Sequence, residues 1–265
     1  MNRRIQANRS PAEVYEELFV PALFGQWGPV VADEAGIESG QRVLDVASGT
    51  GVLACAAAER VGLNGSVVGL DPNDDMLAIA RRKGAKIEWR NGRAEAIPFP
   101  NNSFDTVVSQ FGLMFFEDKP GALREMVRVL RPGGRLAVAV CDALDHSPGY
   151  DELAKLLQRL FGHEVADSFR APFLLGDPDR LLTMAAEAGI DGAVVQQHEG
   201  FVHFDSIDAM ISTERACIWT LGGLLDEDQF EVLLREARRQ LQPFANADGT
   251  VKFAMPALIL TAAKP

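Results

Sequence analysis

The chain has 265 residues, 47% of them hydrophobic and 24% charged, the composition of a soluble globular protein with room for one large α/β domain or two small ones. With 26 Lys+Arg against 37 Asp+Glu the formal net charge is −11, which counts against a broad phosphate-neutralising surface and so against nucleic acid as a partner. The start, MNRRIQANRSP, lacks the apolar core of a signal peptide, and no apolar run nears the roughly 18 residues of a membrane span. Cys55, Cys141 and Cys217 are widely spaced, odd in number and without metal-ligand spacing, and Cys55 and Cys141, inside apolar stretches, read as small core filler, so a reduced, cytoplasmic protein without a metal site is expected.

Taken in order, residues 11–36 read as helical, with Val14, Leu18, Phe19 and Leu23 on one face and interruptions at Pro21 and Pro29. A turn at Ser39-Gly40 leads to a strand at Arg42–Val46, a small-residue loop at 48–51 and an alanine-rich helix to about Val61. Asn64-Gly65 turns the chain into a strand at Ser66–Asp71. A helix near Asn73–Arg82, a strand at Lys86–Asn91, a long loop and a strand at Phe104–Ser109 follow. The next helix, about Pro120–Leu130, carries Leu123, Met126, Val127 and Leu130 on one face; Pro132-Gly133-Gly134 ends it and opens a strand at Arg135–Cys141. This alternation means a parallel, doubly wound sheet covered by helices on both faces. After Cys141 the chain is mostly helical over 149–190, β-like at Val194–Phe204, helical near 206–220 and 226–241, and strand-like at Val251–Ala262. No composition break marks a linker, so one domain over 1–265 is expected.

The first strand runs into DVASGTG, residues 45–51. Gly49 and Gly51 would let the backbone approach a ligand beyond the strand ends, where the next helix offers unpaired N–H groups. A plain tight β–α turn explains the same residues equally well. Asp71 ends the second strand at the spacing at which an acid can accept from both hydroxyls of a ribose; an exposed helix cap is its alternative. Together they favour a nucleoside-bearing cofactor. Gly49-x-Gly51-x-x-Ala54 also fits a dinucleotide fingerprint, so an NAD(P)-dependent oxidoreductase competes. Asp45 tilts the balance, since a carboxylate at that strand end suits a cofactor with an ammonium group.

The set VLDVASGTG (43–51), VVGLDPNDDML (67–77), AEAIPFPNNSFDTVVSQFGLMFF (94–116) and VRVLRPGGRL (127–136) resembles class I S-adenosylmethionine-dependent methyltransferases of the ubiquinone/menaquinone-biosynthesis type. The resemblance covers about the first 140 residues. It implies a Rossmann-like α/β fold, a mostly parallel seven-stranded sheet whose last strand is antiparallel. It also implies a helical lid at 1–36, a cofactor-binding core at 37–141, a helical cap with strand six at 142–250 and the final strand at 251–265. S-adenosylmethionine would be the cofactor and S-adenosylhomocysteine the product. Asp45, Ala47, Ser48, Gly49 and Gly51 would hold its methionine portion and Asp71 its ribose, with Pro72 and Met76 on adenine. Ala94 would read the adenine edge, with Glu95 nearby, and Gln110 and Phe111 would border the methionyl end. Two positions depart from the pattern: Ala47 replaces a glycine, and Arg93 stands where an acid would meet the adenine amino group.

Asp142 and His146 follow the fifth strand and are candidates for a general base, against a cap and a solvated histidine. His163, His198 and His203 lack metal-ligand spacing and read as structural. Tyr15, Phe19, Phe24 and Trp27 form an aromatic cluster that suits core or lid packing, or an acceptor pocket. Phe111, Leu113, Met114, Phe115 and Phe116 would form an apolar wall after the fourth strand, which suits an apolar small molecule and equally suits ordinary core. The expected reaction is in-line methyl transfer to that small molecule, driven by proximity and orientation. A non-catalytic S-adenosylmethionine-binding protein is a further alternative, and the apolar patches invite a homodimer.

Overall fold

Short strand-forming runs set the sheet. In the computed structural model, which describes residues 10–84, 86–217 and 220–265, they form β1 (Arg42–Val46), β2 (Ser66–Asp71), β3 (Ile87–Asn91), β4 (Phe104–Gln110), β5 (Leu130–Cys141) and β6 (Val194–His198). β7 (Phe201–Phe204), β8 (Val251–Ala254) and β9 (Ala257–Ala263) follow. The basic stretch 1–9 and positions 218–219 of the helix expected over 206–220 lie outside the described residues.

Seven strands make one sheet in the order β3-β2-β1-β4-β5-β9-β6. β1 to β5 pair in parallel. β9 is antiparallel to β6, and also to β5, because Gly133 and Gly134 near the start of β5 bond to Lys264 just past the end of β9. Alternate residues serve opposite faces. Val43, Val67, Val108 and Ala137 pack with α2 (Trp27–Glu34) and α3 (Val52–Val61); Leu44, Val68, Val107 and Leu136 pack with α5 (Lys119–Val129) and α8 (Pro178–Glu187). Burial on both faces is why these strands read as continuous apolar runs. The chain leaves β1 toward β2 and β3, then returns to β4 on the other side. The crevice beyond the carboxyl ends of β1 and β4 is therefore the switch point where such sheets take ligands.

The residues group into two compact units. The sheet unit contains Phe24–Val140, Leu175–His198 and Ala257–Pro265; the other is built from the segment ending at Leu23 together with Cys141–Leu174 and Glu199–Pro256. In the second unit α6 (Pro148–Phe161) buries Tyr150, whose ring meets Phe169 and Phe253 edge-on at 5.6 and 5.1 Å. Its hydroxyl donates to Glu214 Oε1 at 2.8 Å, on α9 (Ile207–Ala216). α7 (His163–Arg170), α10 (Glu227–Gln240) and the β7–β8 pair complete it.

Several elements differ from expectation. The 11–36 helix is three pieces: α1 (Pro11–Val14), started by a Ser10–Glu13 capping box; a wider π-type helix over Tyr15–Phe24 that contains Pro21; and α2. The stretches 194–204 and 251–262 are not single strands. Each breaks, at Glu199-Gly200 and at Met255-Pro256, so β6 and β9 join the large sheet while β7 and β8 pair separately. Pro256 cannot donate to a ladder, and Met255 N–H bonds Gly200 O at 2.7 Å instead. Finally, the helix ends at Val129 and β5 begins at Leu130, before the Pro-Gly-Gly turn, which forms an irregularity between the Phe104–Leu130 and Thr106–Arg135 pairs.

Candidate active site

The loop leaving β1 is tightly wound. Ala47, Gly49 and Gly51 all have positive φ (58°, 53° and 89°), and Gly51 N–H closes the turn on Ser48 O at 2.8 Å. Gly51 must be glycine on two counts, its left-handed backbone and the Trp89 indole of β3 lying where a Cβ would go. Ala47 has no such freedom and carries strain, a local cost that the surrounding loop holds in place. Gly112, after β4, faces this loop: a Cβ there would crowd the Ala47 methyl and come within 3.1 Å of Ser109 Oγ.

Two carboxyls flank the loop. Asp71 Oδ2 accepts from Gly49 N–H at 2.8 Å and Oδ1 from Asn73 N–H at 2.9 Å, so the acid at the end of β2 pins the glycine loop itself. Burial raises its pKa, and the N–H groups of Asn73 and Gly49 pull the other way. Asp45 is 1% exposed, and neither of its oxygens has a hydrogen-bond partner. Burial holds its pKa well above the carboxylate range and the nearby Asp71 charge adds to this, while Ala54 N–H favours the anion without completing a hydrogen bond.

Around them Ser48 Oγ, Thr50 Oγ1, Ser109 Oγ and Gln110 Oε1 are also buried without partners. Buried polar groups are normally satisfied, so this concentration at one set of strand ends fits a polar ligand. Asp45 can meet an ammonium, and Asp71 keeps lone pairs for hydroxyls. These residues therefore fit the methionyl and ribose parts of S-adenosylmethionine. Ser109 and Thr50 were not singled out from sequence; a serine ending the apolar run TVVS was the available signal.

Gln110 Nε2 donates to Phe24 O at 3.1 Å. Phe111, at φ 55°, turns its ring to 5.2 Å from Phe24 and 5.8 Å from Trp27, so part of the aromatic cluster meets the end of β4. Met76 and Ala94 are buried and Pro72 is exposed. Glu95 Oε1 accepts from Glu117 N–H at 3.1 Å, and Arg93 pairs with Glu117 at 3.1 Å and Glu95 at 3.5 Å. The apolar wall forms in part: Phe111 and Leu113 are buried and Met114 and Phe116 pack on the core, but Phe115 is 46% exposed.

Tyr15, Phe19, Asp142 and His146 fall in the other unit. There Tyr15 stacks on Phe19 at 6.5 Å, and His146 Nδ1 lies 2.9 Å from Asp142 Oδ2. The hydrogen bond to Asp142 raises the His146 pKa. Among the described residues no group of three or more His, Cys, Asp and Glu could hold a metal ion.

A family model described as "Methyltransferase domain" matches residues 44–138, the stretch that carries β1, the loop and β4. The ubiquinone/menaquinone biosynthesis C-methyltransferase UbiE of Hahella chejuensis is 43% identical over 194 residues, 67% of this chain and 78% of that one. Its counterpart in Edwardsiella ictaluri is 38% identical over 199 residues, 66% of this chain and 79% of that one. The chain belongs to the class I S-adenosylmethionine-dependent methyltransferases, in the ubiquinone/menaquinone-biosynthesis branch. The methyltransferase fold also appears in Haemonchus contortus phosphoethanolamine N-methyltransferase 2, solved with phosphomonomethylethanolamine and S-adenosylhomocysteine. That structure aligns over 99% of this chain and 58% of its own, at a TM-score of 0.61 and 19% identity, a likeness of fold.

As a methyltransferase the protein uses S-adenosylmethionine as its methyl donor and acts on a small molecule; the oxidoreductase and the non-catalytic alternatives are not favoured. No helix among the described residues is long and apolar enough to cross a membrane.

Proposed function

We propose that this methyltransferase transfers its methyl group to an apolar or aromatic small molecule, in the cytoplasm, using the carboxyl ends of β1, β2 and β4 as the cofactor cradle. The observation that carries the cradle is the cluster of buried, unpartnered oxygens on Asp45, Ser48, Ser109 and Gln110 beside the loop that Asp71 pins. Asp45 and the backbone of 47–51 hold the methionine portion, Asp71 the ribose, Pro72 and Met76 the adenine face, Ala94 with Glu95 the adenine edge, and Gln110 and Phe111 the methionyl end. The rings of Phe24, Trp27 and Phe111 support an apolar acceptor, and Met114, Phe115, Tyr15 and Phe19 are the further candidates for contacting it. Carbon methylation, for which the relatives are named, is the first chemistry to test.

The cofactor brings a sulfonium methyl that is already activated. The chain's part is to fix the two reactants in line, which supplies most of the rate in such a displacement. Where the acceptor must lose a proton, His146 is the candidate base, its Nδ1 lying 2.9 Å from Asp142 Oδ2.

Calorimetric titration with S-adenosylmethionine, S-adenosylhomocysteine and NAD(H) tests the cradle. Micromolar binding of both adenosyl ligands is expected, weakened by about 10- to 100-fold in Asp71→Ala through loss of a charge-assisted hydrogen bond. Binding of NAD(H) alone would overturn the assignment of the cradle.

A further inference from the structure

A carboxyl that is 1% exposed, has no completed hydrogen bond and lies beside a second acid is poorly placed to carry a charge, even with the Ala54 N–H turned to favour the anion. The groups facing Asp45 are few. β2 brings Asp71, whose oxygens are engaged by Gly49 and Asn73 N–H groups. β4 pairs Val108 with Asp45 and continues into the uncharged Ser109 and Gln110. α3 presents apolar residues at this end; its charged residues, Glu59 and Arg60, sit at the far end, where Arg60 is committed to Asp33 at 2.7 Å. No cation among these described residues offsets the acid.

We propose that Asp45 is a neutral carboxylic acid in the free protein and that binding the cofactor's ammonium group displaces its proton to solvent, making cofactor binding a proton-coupled event. The inference rests on the cradle assigned above. The balance is simple: the O–H bond of the Asp45 carboxyl breaks, its electron pair stays on oxygen, the proton leaves to the buffer, and the carboxylate pairs with the ligand's ammonium. No oxidant or second reactant is involved. Because one proton is released per ligand bound, affinity rises by up to tenfold per pH unit until the free protein's Asp45 ionises by itself.

The coupling is read by calorimetry rather than turnover. S-adenosylhomocysteine and S-adenosylmethionine are titrated between pH 6 and 8 in paired buffers of different ionisation enthalpy, and the slope of observed heat against buffer enthalpy counts the protons. Release approaching one proton at the acid end, equal for both ligands and lost in Asp45→Asn, is the expected result. The uncharged thioether of S-adenosylhomocysteine separates the amino group from the sulfonium: release seen only with S-adenosylmethionine would overturn the proposal. So would heats independent of buffer at every pH, or release that persists in Asp45→Asn. Should Asp45→Asn fail to fold, infrared difference spectra of the native protein decide, since the protonated carboxyl band must disappear when ligand is added. Absence of binding by either ligand would instead overturn the cradle, so the two failures are distinct.

Discussion

Ala47 stands in a left-handed conformation that costs an L-residue roughly 1–2 kcal/mol, part of which glycine gives back in chain entropy. Ala47→Gly is therefore expected to stabilise the protein by about 1 kcal/mol, raising Tm by about 2–4 °C in a thermal melt. An unchanged or lower Tm would mean that the methyl's contact with Gly112 matters more than the strain. At this scale much of the site was legible. The spacing of Asp45, the glycines and Asp71 placed them at strand ends, and the structure adds that Asp71 holds Gly49 directly. What sequence could not show is which polar atoms lack partners, because hydrogen bonding depends on neighbours far along the chain. Ser109 looks like any serine until β4 brings it beside Gly112 and the β1 loop. Arg93 is similar: its engagement with Glu117 joins residues whose pairing no local pattern predicts.

Among elements, the central parallel strands β1, β2 and β4 were readable because burial on both faces makes them largely apolar, whereas the edge strand β3, IEWRN, is mostly polar. The later strands were harder. The stretches 194–204 and 251–262 carry acceptable strand patterns from end to end, and only Gly200 and Pro256 mark where each leaves one sheet for another. The loop at 92–103 looked structureless in sequence, yet Arg128 of α5 clasps it through Ile97 O, Phe99 O and Asn101 Oδ1, with Glu125 holding both the arginine and Ile97 N–H. Element position also sets local stability. β1 and β4 are central, while β3 and β6 lie at the two edges of the large sheet. Hydrogen-exchange mass spectrometry should find amides of β1 and β4 exchanging only through global unfolding, and those of β3 and β6 through smaller openings. Equal protection across the sheet would contradict this.

For the molecule as a whole, stability against pH has an identifiable contributor in the second unit. Burial pushes Glu214 from 4.5 to about 7, opposed by the Tyr150 hydroxyl that donates to it. Between those values the folded chain holds a proton that the unfolded chain has lost. The group's favourable contribution is thus complete below pH 4.5 and declines as pH rises toward 7, by about 3 kcal/mol in all. Glu214→Gln, which keeps an acceptor for Tyr150, should be neutral near pH 4.5 and clearly stabilising at pH 8 in urea melts. A constant offset at both pH values would contradict the assignment.

The interleaving of the two units has a practical consequence. The chain passes from one unit to the other at residues 23–24, 140–141, 174–175, 198–199 and 256–257. Three of these passages are tied together by backbone bonds, Asp142 N–H to Pro256 O and Met255 N–H to Gly200 O. The second unit is thus no appendage removable with one cut. Its two long parts, 141–174 and 199–256, are cassettes inserted into an otherwise continuous sheet. Anyone wishing to transplant this unit into a related scaffold must move both cassettes together with the segment ending at Leu23. All five splice points must then be matched.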